Sequence, residues 1–209
     1  MSIEIRSSDT DHLKWLEHLG DEFWVGKNVL DVGCGSGYLC KWALEKGAVH
    51  SSGIDILNPP GYSDSEKWEF LNLDLDSEWA DGFNKSKVTQ FDIILAFDII
   101  EHLSSPYSFL RSCYSMMSKM MSKEGVLVLT TPNIGSWERL VKPENWSGCI
   151  DPQHKTLFNL YSLKFMLERV GFDVVNSKAP IRSLGPLNKI LPPLGGQLFI
   201  MAVPGHRSV

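Results

Sequence analysis

The stretch VLDVGCGSG, residues 29–37, joins a short apolar run to a loop rich in glycine. Its three glycines stand at alternate positions, Gly33, Gly35 and Gly37. The apolar run at 28–32 is typical of a buried strand, and residues 37–46 are typical of a helix that stops at a glycine. Glycines at such a junction allow a sharp turn and the close approach of a ligand to the backbone. The stretch therefore predicts a strand, a ligand-binding loop and a helix in succession.

Strand and helix patterns alternate along the rest of the chain. Short apolar runs predict further strands at 52–57, 68–73, 91–97, 126–131, 172–177 and 197–203. Helical spacing of apolar residues predicts helices at 11–19, 106–124 and 160–170. This order predicts an α/β fold, a Rossmann-like, doubly wound, mostly parallel seven-stranded sheet with helices on both faces. The last two strands lack a helix between them, so we expect an antiparallel edge strand.

Length and charge limit the organisation of the chain. Its 209 residues fit a single domain, 1–209, within which we expect a helical lid at 1–25 and a substrate-side loop at 132–158. The formal net charge of −5 supplies no general attraction for nucleic acid. Four cysteines without a CxxC pair are typical of reduced thiols. Neither a signal peptide nor a membrane span is predicted, which favours a cytoplasmic protein acting on a small molecule.

An acid at the end of the second predicted strand gives the glycine loop a chemical partner. Asp55 closes the sequence SGID, 20 residues after Gly35. In open parallel sheets, ligands bind at the carboxyl ends of the strands, where an acid at this distance can accept hydrogen bonds from both ribose hydroxyls. An acid in that position alone is often a solvated turn residue. Combined with the glycine loop, Asp55 indicates a site for an adenosine-type cofactor.

The spacing of the loop and a second acid favour one cofactor over another. A nicotinamide dinucleotide site typically reads GxGxxG, whereas this loop reads GxGxG. Asp31 stands two residues before the first glycine, where a carboxylate would repel a pyrophosphate but attract an ammonium group. S-adenosylmethionine carries an ammonium, a sulfonium and no phosphate. The electrostatics therefore favour S-adenosylmethionine and argue against a nicotinamide dehydrogenase.

The motifs VLDVGCGSG, GID, LNLDL and FDIILAFDIIEHL resemble the successive motifs of class I S-adenosylmethionine-dependent methyltransferases, roughly from Asn28 to Phe172. The resemblance implies that the three loop glycines approach the methionine end and ribose of the cofactor. It also implies that Asp31 holds the amino group and that Asp55 binds the ribose. The remaining implied cofactor contacts are Ile56 and Asp74 at the adenine, the backbone amide of Leu75 at the same ring, and Phe97 at the methionine moiety. Asp76 is the alternative to Asp74 for the contact with the adenine.

A further group of polar residues follows the fourth predicted strand. Asp98, Glu101 and His102 would share one face of a helical turn, and the loop that carries His154 is expected over the same cleft. Two carboxylates and two imidazoles suit a divalent metal, Mg, Mn or Zn, which could activate a substrate hydroxyl. The alternative is metal-free: Glu101 favours a helix start, and His102 makes a structural hydrogen bond. In that case His102 or His154 remains a candidate general base.

A narrower resemblance involves the same residues. The run D-x-x-E-H-L at 98–103, the following SSP and a later His-x-x-x-Phe are similar to the O-methyltransferases of ubiquinone biosynthesis. Metal-dependent methyltransferases of the RNA 3′ end use a similar set of an acid, a glutamate and two histidines. The segment from SWERLVKPENW to DPQHKTLF also resembles methyltransferases of glycan and natural-product pathways. The resemblance implies catalytic roles for Glu101, His102 and His154.

The sequence leaves three candidate functions, of which two are enzymatic and one is noncatalytic. The leading one is methylation of an oxygen on a small-molecule acceptor by an enzyme. An RNA 3′-end methyltransferase is the second, and the acidic charge balance argues against it. The third is a noncatalytic cofactor-binding or assembly module, which the fold alone permits. Aromatic residues in and beside 132–158 form either an acceptor wall or a packed core, namely Trp137, Trp146, Phe158 and Tyr161.

Overall fold

Within the described residues, seven strands form one mixed sheet. The computed structural model describes residues 7–77, 79–80, 86–88, 90–181 and 193–205. In chain order, β1 to β7 are Asn28–Val32, His50–Asp55, Trp68–Asn72, Phe91–Phe97, Met121–Pro132, Phe172–Lys178 and Gln197–Pro204. Their order in the sheet is β3-β2-β1-β4-β5-β7-β6. The predicted Rossmann-like seven-stranded sheet is confirmed.

One of the last two strands, β7, runs opposite to the other six. β1 to β5 pair in parallel, whereas β7 pairs antiparallel with both β5 and β6. β6 is the edge strand and runs antiparallel to its neighbour, as predicted. The reversed strand itself, β7, lies inside the sheet between β5 and β6. Because β7 runs in the opposite direction, its first residue, Gln197, lies at the carboxyl ends of the parallel strands.

The helices cover both faces of the sheet. In chain order, α1 to α6 are Ser7–Glu17, Tyr38–Glu45, Pro106–Met120, Trp137–Val141, Ser147–Ile150 and Leu160–Val170, with 3-10 helices at Asp21–Phe23, Ile100–His102 and Pro143–Asn145. The third predicted helix ends earlier than Gly125, because Met121 already pairs with Phe91 in the sheet. The segment 132–158 was predicted to be irregular, but it contains α4, α5 and a 3-10 helix. None of the helices among the described residues is long and apolar enough to cross a membrane.

Alternate residues of the central strands supply two apolar layers. In β4, Ile94 and Ala96 join the core cluster that includes α3 and α6, while Ile93 and Leu95 join the cluster beneath α1 and α2. This alternation follows from the period of two along a strand. Each layer removes a helix face and a sheet face from water, which provides the main driving force for this arrangement. The two layers cover the faces of the sheet, and the ends of the strands remain uncovered where the connecting loops begin.

The N-terminal segment packs directly on the second of these layers. Leu16 and Trp24 are fully buried there, and the Trp15 ring stacks on Phe199 of β7 with centroids 5.0 Å apart. Burial of side chains of this size contributes about 2 kcal/mol each. These contacts hold α1 against the sheet, with His12 at the carboxyl ends of the strands.

Candidate active site

The glycine loop connects β1 to α2 through three residues in the left-handed region. The φ values are 81° at Gly33, 49° at Gly35 and 73° at Gly37. Residues other than glycine adopt such positive φ values only at a cost in conformational energy. The amide of Gly33 donates to the Ile54 carbonyl at 2.8 Å, which fastens the loop to β2. A Cβ atom on Gly35 would meet nothing within 4 Å. The loop therefore exposes its backbone to open space at Gly35.

Asp55 is held against this loop. One carboxylate oxygen accepts a hydrogen bond from the Gly35 amide at 2.9 Å, and the other accepts one from the Leu57 amide at 3.1 Å. The next side chain, Ile56, is 62% exposed. The structure thus brings together the glycine loop, the acid and an apolar side chain, as an adenosine site requires.

Asp31 lies beneath the loop and is almost entirely buried. Burial, followed by the negative charge of Asp55, raises the pKa of the Asp31 carboxyl from 3.8 to about 7. The Cys40 thiol donates weakly to it, at 3.8 Å. A buried carboxyl of this kind gains strongly from a cation, because a neighbouring positive charge favours the ionised form.

The two acids after β3 have different surroundings. The Asp76 carboxylate accepts hydrogen bonds from the amide and hydroxyl of Ser104 at 2.7 and 2.9 Å, and Lys155 lies 3.4 Å away. The Asp74 carboxylate accepts a bond from the Asp76 amide within its own turn and remains exposed. Leu75 between them is buried. Asp76 therefore already links Ser104 to Lys155, whereas the exposed Asp74 carboxylate makes no such link.

The end of β4 places Phe97 and Asp98 beside the loop. Phe97 is buried, and Asp98 has a φ of 48°, which is unusual for a residue other than glycine. The Asp98 carboxylate lies 2.9 Å from His12 Nε2. It also accepts hydrogen bonds from the Thr130 hydroxyl and from the side-chain amide of Gln197. Burial alone would raise the pKa of Asp98, but these partners outweigh it and hold the pKa below its ordinary value.

Three of the four predicted metal ligands come together. One ligand atom each from Glu101, His102 and His154 lies within 4.8 Å of the others. The backbone carbonyl of Glu101 accepts hydrogen bonds from the amides of Lys155 and Thr156, which brings the His154 segment to the 3-10 helix. The imidazole rings of the two histidines have centroids 4.7 Å apart.

Asp98 does not join this group. The helical turn that was expected to align Asp98 with Glu101 and His102 begins only at Ile100, and the left-handed backbone at Asp98 interrupts the spacing. Its carboxylate is instead satisfied by His12, Thr130 and Gln197. The predicted four-residue set is thus reduced to three residues.

The buried atoms of the group are only partly satisfied. Glu101 is 1% exposed, and its Oε2 atom accepts a bond from the Thr131 hydroxyl at 2.9 Å. Among the described residues, neither Glu101 Oε1 nor His102 Nδ1 has a hydrogen-bond partner. Buried polar atoms without partners are uncommon and costly, and each needs an explanation.

Burial also controls the charges of the group. Burial and the charge of Asp98 raise the pKa of Glu101 from 4.5 to about 8. Burial and the neighbouring His154 lower the pKa of His102 below its ordinary value. At neutral pH without a ligand, Glu101 is mainly protonated and His102 is neutral. A cation bound here would reverse the protonation of Glu101.

The aromatic residues in and beside the segment 132–158 differ in burial. Trp146 and Phe158 are buried and belong to the packed interior, whereas Trp137 and Tyr161 are 55% and 75% exposed. Sequence reasoning did not single out His12, Thr130, Thr131 or Gln197, which contact the acids of the site. No local motif marks these residues, since their partners lie 30 to 99 positions away.

Comparison with known proteins assigns this geometry to a class. Residues 8–177 match a family described as a methyltransferase domain, and the chain belongs to that family. With the glycine loop and its acids, it is a class I S-adenosylmethionine-dependent methyltransferase domain.

Named relatives place the chain within the class. It is 28% identical over 171 residues to the ubiquinone biosynthesis O-methyltransferase of Neisseria meningitidis, covering 73% of this chain and 66% of that protein. It is 30% identical over 114 residues to the same enzyme of Actinobacillus pleuropneumoniae, covering 52% of this chain but 47% of that protein. The match thus spans about half the length of the Actinobacillus relative. A methyltransferase structure from Archaeoglobus fulgidus shares the fold, with a TM-score of 0.65, 22% identity and 94% coverage of both chains.

Proposed function

We propose that this chain transfers the methyl group of S-adenosylmethionine to an oxygen atom of a small-molecule acceptor. The observation that carries the proposal is the group of buried Glu101 with partly buried His102 and His154 beside the end of β4, with two polar atoms that lack partners among the described residues. Distant similarity to ubiquinone biosynthesis O-methyltransferases supports an oxygen acceptor.

The cofactor would lie across the carboxyl ends of β1, β2 and β4. Asp31 would pair with the amino group, and Asp55 would accept the ribose hydroxyls while it holds the glycine loop through Gly35. The adenine and methionine ends would be lined by Ile56, Asp74, Leu75 and Phe97. A sulfonium needs no further activation as a methyl donor, so alignment of donor and acceptor supplies much of the rate.

The chemistry of the Glu101 group fits a divalent metal. One carboxylate and two imidazoles suit Zn better than Mg, which prefers oxygen ligands, and the two orphaned atoms, Glu101 Oε1 and His102 Nδ1, are donors of the required kind. His154 Nδ1 lies 3.3 Å from the Gly148 carbonyl, which favours the tautomer with the proton on Nδ1, and Nε2 lies 3.9 Å from an Asp151 carboxylate oxygen. When bound, a metal would lower the pKa of an acceptor hydroxyl and fix its orientation.

The residues of the group also provide a route for the acceptor proton. The acceptor oxygen attacks the methyl carbon, the carbon–sulfur bond breaks, and its electron pair stays on sulfur to give S-adenosylhomocysteine. Without a metal, the hydroxyl proton would move to the imidazole of His102, which its lowered pKa keeps unprotonated and able to accept it. Thr131 holds the Glu101 carboxyl in place through one oxygen.

The segment 132–158 would form the acceptor side of the cleft. The backbone contacts of Lys155 and Thr156 with Glu101 bring this part of the chain to the catalytic group. The exposed Trp137 of α4 offers a flat apolar surface. Residues 7–25, the described part of the predicted lid at 1–25, would close the opposite side.

Calorimetric titration with S-adenosylmethionine, before and after chelator treatment, tests the cofactor and metal assignments. We expect binding in both samples, with elemental analysis showing a divalent metal only before chelation. Transfer is then followed as S-adenosylhomocysteine formation with a panel of phenols and catechols and with matched amines. Turnover of the hydroxyl compounds that chelation removes supports the proposal. Turnover of the amines alone would contradict the oxygen assignment.

A further inference from the structure

His12 of α1 joins two segments of the cofactor site through one buried imidazole. Its Nδ1 atom lies 2.8 Å from the Tyr38 hydroxyl oxygen, and its Nε2 atom lies 2.9 Å from an Asp98 carboxylate oxygen. The edge of the ring also meets the face of Phe97, with centroids 4.9 Å apart and an angle of 77°. His12 is 6% exposed, so these contacts are shielded from water.

The hydrogen atoms of this chain of contacts have a consistent assignment. The ionised Asp98 carboxylate can only accept, so His12 Nε2 carries the proton and donates it. Nδ1 is then free to accept from the Tyr38 hydroxyl. Thr130 and Gln197 also donate to Asp98, which fixes the carboxylate that orients His12. A single arrangement of the imidazole therefore satisfies both neighbours at once.

The partners of His12 are the residues that border the cofactor. Tyr38 is the first residue of α2, directly after Gly37 of the glycine loop. Phe97 and Asp98 mark the end of β4, where Asp98 keeps a left-handed backbone that costs about 1 kcal/mol. His12 thus links α1 to the loop on one side and to the β4 end on the other.

We propose that His12 is a positioning residue for S-adenosylmethionine, which fixes Tyr38 and the Phe97–Asp98 corner around the methionine end of the cofactor. The inference rests on the assignment of the glycine loop and Phe97 to the cofactor. Helix α1 would then contribute to the affinity for the cofactor as well as cover the sheet.

Packing of α1 does not require this imidazole. Leu16 is fully buried under the helix, and Trp15 stacks on Phe199, so apolar contacts already hold α1 in place. An apolar side chain at position 12 would serve packing equally well. The polar contacts to Tyr38 and Asp98 instead connect the helix with the two cofactor segments, so their removal should affect the ligand more than the fold.

A double-mutant cycle between His12 and Tyr38 tests the link. Tyr38→Phe removes one hydroxyl, and we expect it to raise the Kd for S-adenosylmethionine about fivefold, as the loss of one buried hydrogen bond would. His12→Phe keeps a ring but removes both bonds, and we expect an increase of about thirtyfold. The double variant should match His12→Phe alone, because both changes remove the same contact.

Conservative and control variants separate positioning from stability. The amide of His12→Gln can still donate to Asp98, so it should recover part of the affinity lost in His12→Phe. His18→Gln changes an exposed histidine just after the same helix and should leave the Kd unchanged. Thermal midpoints of Tyr38→Phe and His12→Gln should stay close to that of the wild type.

Three results would overturn the inference. An unchanged Kd in both Tyr38→Phe and His12→Phe would show that the contacts do not act on the cofactor. Effects that add in the double variant would show that Tyr38 and His12 act separately. A wild-type chain that does not bind S-adenosylmethionine would refute the inference and the cofactor assignment together. Binding without turnover of hydroxyl acceptors would contradict the proposed oxygen acceptor while leaving this cycle fully measurable.

Discussion

The backbone amide of Gly35 donates a hydrogen bond to the Asp55 carboxylate, with 2.9 Å between the nitrogen and the oxygen. The acid at the end of β2 therefore holds the glycine loop that follows β1, and the two halves of the cofactor site are connected before any ligand binds. Oxygen lone pairs of the same carboxylate remain for ribose hydroxyls, since each oxygen accepts two bonds.

Loss of the Asp55 side chain should weaken cofactor binding strongly. In Asp55→Ala the ribose loses its acceptor and the Gly35 amide loses its partner, so we expect the Kd for S-adenosylmethionine to rise about a hundredfold, the equivalent of two charge-assisted bonds. Calorimetric titration measures this change. Asp173→Ala, at an exposed acid on β6, is the matched control and should bind normally. Unchanged affinity in Asp55→Ala would refute its assignment.

Cofactor binding should strengthen as the pH rises toward 8. The pKa of Asp31 is raised to about 7 by burial and by Asp55, so the carboxyl is protonated below that pH. Pairing with an ammonium requires the ionised form, and the Kd should therefore increase about tenfold for each pH unit below 7. Titrations between pH 5.5 and 8 follow this slope. Asp31→Asn should bind weakly at every pH, with a flat profile.

The same carboxyl should affect the stability of the ligand-free protein in the opposite sense. Its pKa is about 7 in the folded protein and near 3.8 in an unfolded chain, so the protonated form stabilises the fold. This contribution is complete below about pH 4 and is lost as the pH rises through about 7, up to about 4 kcal/mol. Denaturant unfolding should therefore show Asp31→Asn more stable than the wild type at pH 8, and nearly equal to it at pH 4. A stability difference that does not vary with pH would contradict the burial argument.

Removal of His154 should separate chemistry from cofactor binding. His154 lies with Glu101 and His102 and makes none of the proposed cofactor contacts. We expect His154→Ala to lower the turnover number at least a hundredfold, a typical loss for a group that takes part in proton transfer. The Kd for S-adenosylmethionine should stay within about twofold of the wild type. His18→Ala is the control, and full activity in His154→Ala would remove His154 from the mechanism.

Two glycines of the loop should respond differently to the same substitution. Both Gly35 and Gly37 have positive φ, but a Cβ on Gly37 would approach the Trp68 ring to 2.7 Å, whereas one on Gly35 meets nothing within 4 Å. We expect Gly35→Ala to lower the free energy of unfolding by about 1 kcal/mol and Gly37→Ala by about 3 kcal/mol. Urea unfolding of the two variants measures the difference. Equal losses would mean that Trp68 moves aside without cost.

The sheet was predictable because its strands are local apolar runs. β1 and β4 begin and end where the sequence pattern places them, at 28–32 and 91–97. The helices α4 and α5 were missed, since pieces of five and four residues have no periodicity to detect and depend on tertiary contacts. The buried Trp146 between them supplies such a contact.

The surroundings of Asp98 show where spacing along the chain fails. Proximity to Glu101 and His102 in the sequence predicted a shared ligand set, but the left-handed backbone at Asp98 ended that periodicity. Its actual partners, His12 and Gln197, lie 86 and 99 positions away. Contacts of this kind depend on the strand order, in particular on the insertion of β7 beside β5, which composition and spacing do not reveal.

The position of β7 also has a consequence for biosynthesis. A ribosome produces β6 before β7, yet β6 reaches the sheet only through β7, which pairs with β5 on its other side. Until Gln197–Pro204 has left the exit tunnel, β5 and β6 each present an unpaired strand edge to solvent or to chaperones. Translation that stalls between β6 and β7 would leave a nascent chain with an incomplete sheet, a state in which aggregation is favoured.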